Sequence, residues 1–233
     1  MSTTDVRDDQ LPRNAGGAQE STPIPAASIL LLRNKPLEVL MIRRHERSTF
    51  VPGAWVFPGG AVEEVDRTVS DGTELGVMRM AAVRELFEET AVWLGAPLRD
   101  APAVRRDLLE GRQSFAELLG QSPVDTQQLV WTSRWITPVG VPRRFDTYFF
   151  LALAPDQFTA EVDEAEAVEL RWVTPEEAID SLQIVFPTLK NLEALRGFES
   201  PAALLESRRG ATIPITRPIL VIDGNQKRIV LPD

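Results

Sequence analysis

The sequence predicts an α+β fold in which a mixed β-sheet lies between helices. Three observations point there. Apolar runs of strand length recur at residues 24–32, 37–43, 129–136, 145–153 and 167–173. A long helical pattern occupies residues 74–94. Strands and helices do not alternate strictly, which argues against a purely parallel sheet. The chain has 233 residues, 43% hydrophobic and 25% charged, so it holds enough apolar material for one sizeable core.

Taken in order, residues 1–22 form a polar N-terminal tail expected to be disordered. Its first twenty residues lack the apolar centre of a signal peptide. Residues 23–233 are expected to form a single domain. Its first two strands flank the polar turn Arg33-Asn34-Lys35-Pro36, a hairpin arrangement. A short strand is expected at residues 55–57, and Pro58-Gly59-Gly60 as a turn. Residues 61–73 are acidic and read as irregular. In the helix at 74–94, Val83, Leu86, Phe87, Thr90 and Leu94 recur at helical spacing, and Gly95 is a plausible stop.

Residues 100–125 suggest an inserted pair of short helices. Ser114 and Glu117 make a capping-box pair for the second. After the strand at 167–173, Thr174-Pro175 is a strong helix start. Helices are expected near 187–196 and 201–209. Asp223-Gly224 between apolar runs then signals a C-terminal hairpin. That hairpin either completes the sheet or serves a homodimer.

Composition excludes several functions. Lys and Arg number 25 against 34 Asp and Glu, a net charge of −9. A nucleic acid polymer or an anionic membrane is therefore not an expected partner. The absence of Cys rules out disulfides and thiolate sites, and the single His45 rules out a site needing two imidazoles. The longest apolar runs, 26–32 and 149–154, are too short to cross a bilayer as a helix. A cytoplasmic location is the simplest inference.

The chemistry concentrates in Arg84-Glu85-Leu86-Phe87-Glu88-Glu89. On a helix, Glu85, Glu88 and Glu89 share one face. Such a face is either simply solvated or holds hard divalent cations. Mg²⁺ suits it, because that ion takes carboxylate oxygens and keeps several waters. Arg84 can hold a carboxylate through a forked contact. Gly59 and Gly60 bring bare backbone towards the start of this helix, as a bound diphosphate would require.

These residues resemble the box of the Nudix hydrolases, G-x5-E-x7-R-E-U-x-E-E-x-G-U, where U is a bulky apolar residue. Gly60 matches the first Gly, and residues 84–92 match the second half except that Ala91 replaces Gly. Gly60 and Arg84 lie 24 positions apart where the plain box has 14, an insertion of ten. Gly76 stands eight before Arg84, where the box has Glu; Glu63, Glu64 and Glu74 are candidates for the displaced carboxylate. The similarity extends over residues 24–185. It includes 40–44, which resemble the family's second core strand, and 169–178, which resemble its late strand and helix. Residues 50–60 and 142–147 further resemble the coenzyme A diphosphatase branch of peroxisomal type and its bacterial relatives.

The resemblance implies an α/β/α sandwich and hydrolysis of a diphosphate linked to another group, with Mg²⁺ as cofactor or Mn²⁺ as its substitute. The substrate would be a small nucleotide, first of all coenzyme A or an acyl-coenzyme A. ADP-ribose, NADH and dinucleoside polyphosphates are the alternatives within the family; a catalytically silent nucleotide-binding regulatory module is the alternative outside enzymes. Glu85, Glu88 and Glu89 would be metal ligands beside Gly60, with Arg84 orienting Glu85. Glu166, or Glu164 or Asp163, would be a base or further ligand, unless that loop is merely solvated. Gly59, Arg44, Arg143 and Arg144 are candidate substrate contacts, with surface solvation the alternative for the arginines. Arg43, His45 and Arg47 could join Arg44 at a further phosphate. Trp131, Trp135 and Phe145 either stack on a base or belong to the core.

Overall fold

The computed structural model describes residues 21–34, 36–48, 51–141, 143–162, 167–223 and 226–232. Strand β1 (Ile24–Arg33) and strand β2 (Glu38–Arg44) form the expected hairpin. They pair only next to the turn, at Leu32–Val39 and Arg33–Glu38, and then take different neighbours. Strand β3 (Trp55–Val56) pairs with β2. The Pro58-Gly59-Gly60 segment departs from expectation. Gly59–Ala61 is strand β4, antiparallel to β1, not a turn.

The acidic stretch is not irregular either, because it contains helix α1 (Glu64–Val69). Its start is fixed by the Glu63 N–H donating to Asp66 Oδ2 at 2.8 Å. Helix α2 (Glu74–Thr90) opens on Thr73, whose hydroxyl accepts from the Gly76 N–H. It ends at Ala91, earlier than Gly95. Ala91 takes φ 59°, the left-handed conformation that suits a glycine. An alanine pays roughly 1–2 kcal/mol for that geometry. Burial of Val92, Trp93 and Leu94 against the core opposes this cost.

Helices α3 (Ala101–Leu109) and α4 (Phe115–Gln121) follow, and Ser114 caps α4 as expected. Strands β5 (Val130–Ile136), β6 (Phe145–Leu153) and β7 (Ala167–Val173) come next, then α5 (Pro175–Ser181), α6 (Phe186–Glu193) and α7 (Pro201–Arg208). The two-residue strand β8 (Ile215–Thr216), between Pro214 and Pro218, is too short for any sequence pattern. The hairpin β9 (Ile219–Asp223) and β10 (Gln226–Val230) closes the chain.

The main sheet is mixed. Strand β1 runs parallel to β6 from Ile24–Phe145 to Leu32–Leu153. Its apolar run is buried on both faces, as a central parallel strand requires. Alternation along β1 divides two cores. Ile29 and Leu31 pack with Met78, Leu86 and Phe87 of α2. Leu30 and Leu32 pack with Ala178 of α5, Phe186 of α6 and Leu204 of α7. Helices therefore cover both faces, giving the α/β/α sandwich. The inserted helices α3 and α4 pack on the α2 side, where Trp93 Nε1 donates to Ser122 Oγ at 2.8 Å. The hairpin β9–β10 forms a separate two-stranded sheet; the strand that extends the main sheet is β8, parallel to β5. No helix among the described residues is long and apolar enough to cross a membrane.

Candidate active site

The site begins where β4 crosses the C-terminal half of α2, not the start of the helix. Gly59 N–H donates to Glu89 Oε2 at 2.7 Å. Gly59 has φ +155°, and a Cβ there would overlap the Ala27 carbonyl oxygen and sit 2.6 Å from Ser28 Cα. Backbone on both counts demands glycine. Gly60 answers to a different constraint. Its φ suits any residue, but a Cβ would lie 2.6 Å from the Glu85 carboxylate. One glycine lets two strands meet, and the other leaves room for a functional side chain.

Arg84 organises the acidic face. Its Nε and Nη2 donate to Asp66 Oδ1 and Oδ2 at 2.9 and 3.0 Å. Nη2 also donates to the Ala61 carbonyl at 2.9 Å. Nη1 donates to Glu85 at 3.0 Å and Glu88 at 2.8 Å. A guanidinium presents donors in a fixed fork, so these contacts lock helix α1, strand β4 and helix α2 together. Burial by itself would lower the Arg84 pKa; the bonds to Asp66 and the charges of Glu85, Glu88 and Asp66 outweigh it and raise the value.

Asp66, paired with Arg84, is the residue of this cluster that the sequence pattern does not single out. It is fully buried, and it joins the candidates Glu63, Glu64 and Glu74, of which Glu63 lines the cavity. Counting backwards from Arg84 led to Gly76. Counting forwards from Gly60 leaves five intervening residues and arrives at Asp66, the spacing of G-x5-E with a shorter acid. The insertion thus falls between Asp66 and Arg84.

Burial pushes the Glu88 carboxyl above the ordinary carboxylate range, and Arg84 pulls the other way. The nearby Glu63 and Asp66 charges add to the upward push. An added cation would favour the ionised form. No three acidic or imidazole groups among the described residues form a preassembled metal cage. The donor chemistry nonetheless fits Mg²⁺ or Mn²⁺. Glu85, Glu88 and Glu89 are hard oxygen donors along one cavity wall, and Mg²⁺ retains waters in place of a complete protein cage.

The cavity measures about 450 Å³. Its acidic end holds Glu63, Glu85, Glu88 and Glu89 with Gly59 and Gly60; Trp135, Phe149 and Phe186 give it an apolar wall. Arg44 and Arg143 also line it, and Arg143 lies over the Phe145 ring at 5.0 Å. Within these lining residues, Arg44 Nε and Trp135 Nε1 are buried away from the open space and have no hydrogen-bond partner among the described residues.

Other candidates fall elsewhere. Arg144 is buried outside the cavity lining and donates to the Thr137 and Ser21 carbonyls at 3.0 and 2.8 Å, so it clasps two segments together. Arg43 pairs with Glu169 at 3.5 Å, and His45 Nδ1 accepts from the Arg47 N–H. None of these three lines the cavity. Trp131 stacks on Tyr148 at 5.2 Å, away from the lining. Residues of α3 and α4 do not line it either. Asp163, Glu164 and Glu166 lie outside the described residues.

Comparison with known proteins bears on the family and the fold. The sequence profile of the NUDIX domain matches residues 22–193. The chain belongs to the Nudix family. A Nudix hydrolase crystal structure from Alicyclobacillus acidocaldarius superposes with a TM-score of 0.71 at 25% identity, covering 80% of this chain and 96% of that one. A Caenorhabditis elegans protein named as a nudix hydrolase is 35% identical over 162 residues, 66% of this chain and 52% of the relative. Acyl-coenzyme A diphosphatase NUDT19 of Homo sapiens is 27% identical over 232 residues, 72% of this chain and 60% of that protein. This Nudix chain thus spans between half and two thirds of the length of these two curated relatives.

Proposed function

We propose that the protein hydrolyses a diphosphate linking a nucleotide to a second group, with coenzyme A or an acyl-coenzyme A as the first-choice substrate. The observation that carries the reading is the Arg84-ordered row of Glu85, Glu88 and Glu89 beside Gly59 and Gly60 on one cavity wall. The coenzyme A assignment draws on the similarity to NUDT19 acyl-coenzyme A diphosphatases from Homo sapiens and Xenopus laevis.

Glu85, Glu88 and Glu89 would hold the divalent ion, Mg²⁺ or Mn²⁺. When bound, such an ion offsets phosphate charge and makes water more acidic. Arg84 keeps Glu85 and Glu88 in place. The two glycines keep side-chain bulk away from the diphosphate. Arg44 and Arg143 offer positive charge to phosphate oxygens that the acidic end does not neutralise. In the reaction, a water oxygen bonds to one phosphorus and the bridging P–O bond breaks. The bridging oxygen leaves with the other phosphate, and the water's proton passes to a nearby carboxylate. Glu166, or Glu164, is the proposed acceptor or additional ligand.

Purified protein is incubated with coenzyme A, with and without Mg²⁺, and the products are read by mass spectrometry. Metal-dependent appearance of 3′,5′-ADP and 4′-phosphopantetheine is expected. No cleavage of coenzyme A, with turnover of ADP-ribose, NADH or a dinucleoside polyphosphate, moves the assignment to those compounds. No turnover of any of them favours the regulatory binding module.

A further inference from the structure

The NUDIX match ends at residue 193, yet the cavity does not. Pro218 and Ile229, both beyond the match, line it. The segment that carries them is fastened to the sheet at the cavity itself. Strand β8 pairs with β5 at Arg134–Ile215 and Trp135–Thr216, and Trp135 is a cavity residue. Leu204 and Leu205 of α7 are buried in the same core cluster as Trp135, Phe149 and Phe186, and Ile229 packs against that cluster. Leu220 of β9 lies against Gly140, in the loop that gives Pro138 and Val141 to the lining. The hairpin therefore supplies part of the apolar wall opposite in character to the acidic end.

A diphosphate at the acidic end would extend one ester arm along this wall. The two arms of coenzyme A differ in chemistry. Next to the diphosphate, the adenosine arm places a ribose with a hydroxyl and a further phosphate, its adenine ring lying farther out. The pantetheine arm begins with a methylene and then a quaternary carbon bearing two methyl groups, close to the diphosphate and ahead of its hydroxyl and amides. An apolar wall stabilises the methyls and gives nothing to the hydroxyls.

Resting on the coenzyme A reading above, we infer that the C-terminal segment is a specificity element, with Ile229 and Pro218 forming the contact surface for the pantetheine arm. Ile229 is then a substrate-positioning residue supplied from outside the family domain.

The test is product inhibition of coenzyme A hydrolysis by the wild-type enzyme and by Ile229→Ser. The inhibition constant of 4′-phosphopantetheine is expected to rise about tenfold, the scale of losing one apolar group from a pocket. That of 3′,5′-ADP is expected to stay within about twofold. Ile229→Val, a gentler change, moves the first constant in the same direction by a smaller factor and keeps the test open if the serine variant folds poorly. Parallel change in both constants, or no change in either, overturns the inference and leaves the diphosphatase reading intact. A wild-type enzyme that cleaves no coenzyme A in Mg²⁺ overturns the reading itself, and the inference with it.

Discussion

Gly59 and Gly60 are neighbours in sequence but are needed for separate reasons, and substitution tells them apart. Gly59→Ala forces a Cβ into the backbone of β1 at a φ that L-residues rarely adopt. A loss of roughly 2–3 kcal/mol in stability is expected from chemical denaturation. Gly60→Ala meets first the carboxylate end of the Glu85 side chain. Stability should change by less than about 1 kcal/mol, while kcat/KM falls at least about tenfold because Glu85 is displaced. Equal losses of stability in the two variants would contradict this division. Residues 84–89 were legible in the sequence because their spacing places three carboxylates on one helix face. Asp66 was not, because an aspartate stands where the box has glutamate and ten inserted residues shift the count from Arg84. The clasp made by Arg144 was hidden as well, since its acceptors are carbonyls distant in sequence.

Among the elements, the clearest sequence signals were local and proved right in the structure. The caps Ser114 and Thr174 start α4 and α5, and β6 and β7 occupy the expected residues. Boundaries failed where tertiary packing governs. Helix α2 stops at Ala91 because the core draws Val92 and Trp93 inward, and β4 is a strand because β1 offers it an edge. The inserted helices lie outside the cavity lining, which makes them separable from chemistry. Ser114→Ala removes the side-chain acceptor for the Glu117 N–H and should cost about 1 kcal/mol of stability. Its kcat/KM should match the wild type. A large fall in turnover at unchanged stability would place α4 in the catalytic machinery.

At the scale of the whole molecule, the sandwich folds three consecutive segments around one arginine. Strand β4, helix α1 and helix α2 converge on Arg84, which carries two of the acidic side chains on the cavity wall. The sequence could announce the sandwich through apolar alternation and the acidic face through spacing. It could not announce that a C-terminal segment would return to the same cavity, since that depends on β8 pairing with β5. The proposed function requires this acidic face to be a working metal site. The most direct measurement is Mg²⁺-dependent turnover of coenzyme A by Glu88→Gln, which keeps the shape of Glu88 and removes its charge. Turnover at least about a hundredfold below wild type, with the fold retained, is the expected result. Full turnover by Glu88→Gln would contradict the metal assignment.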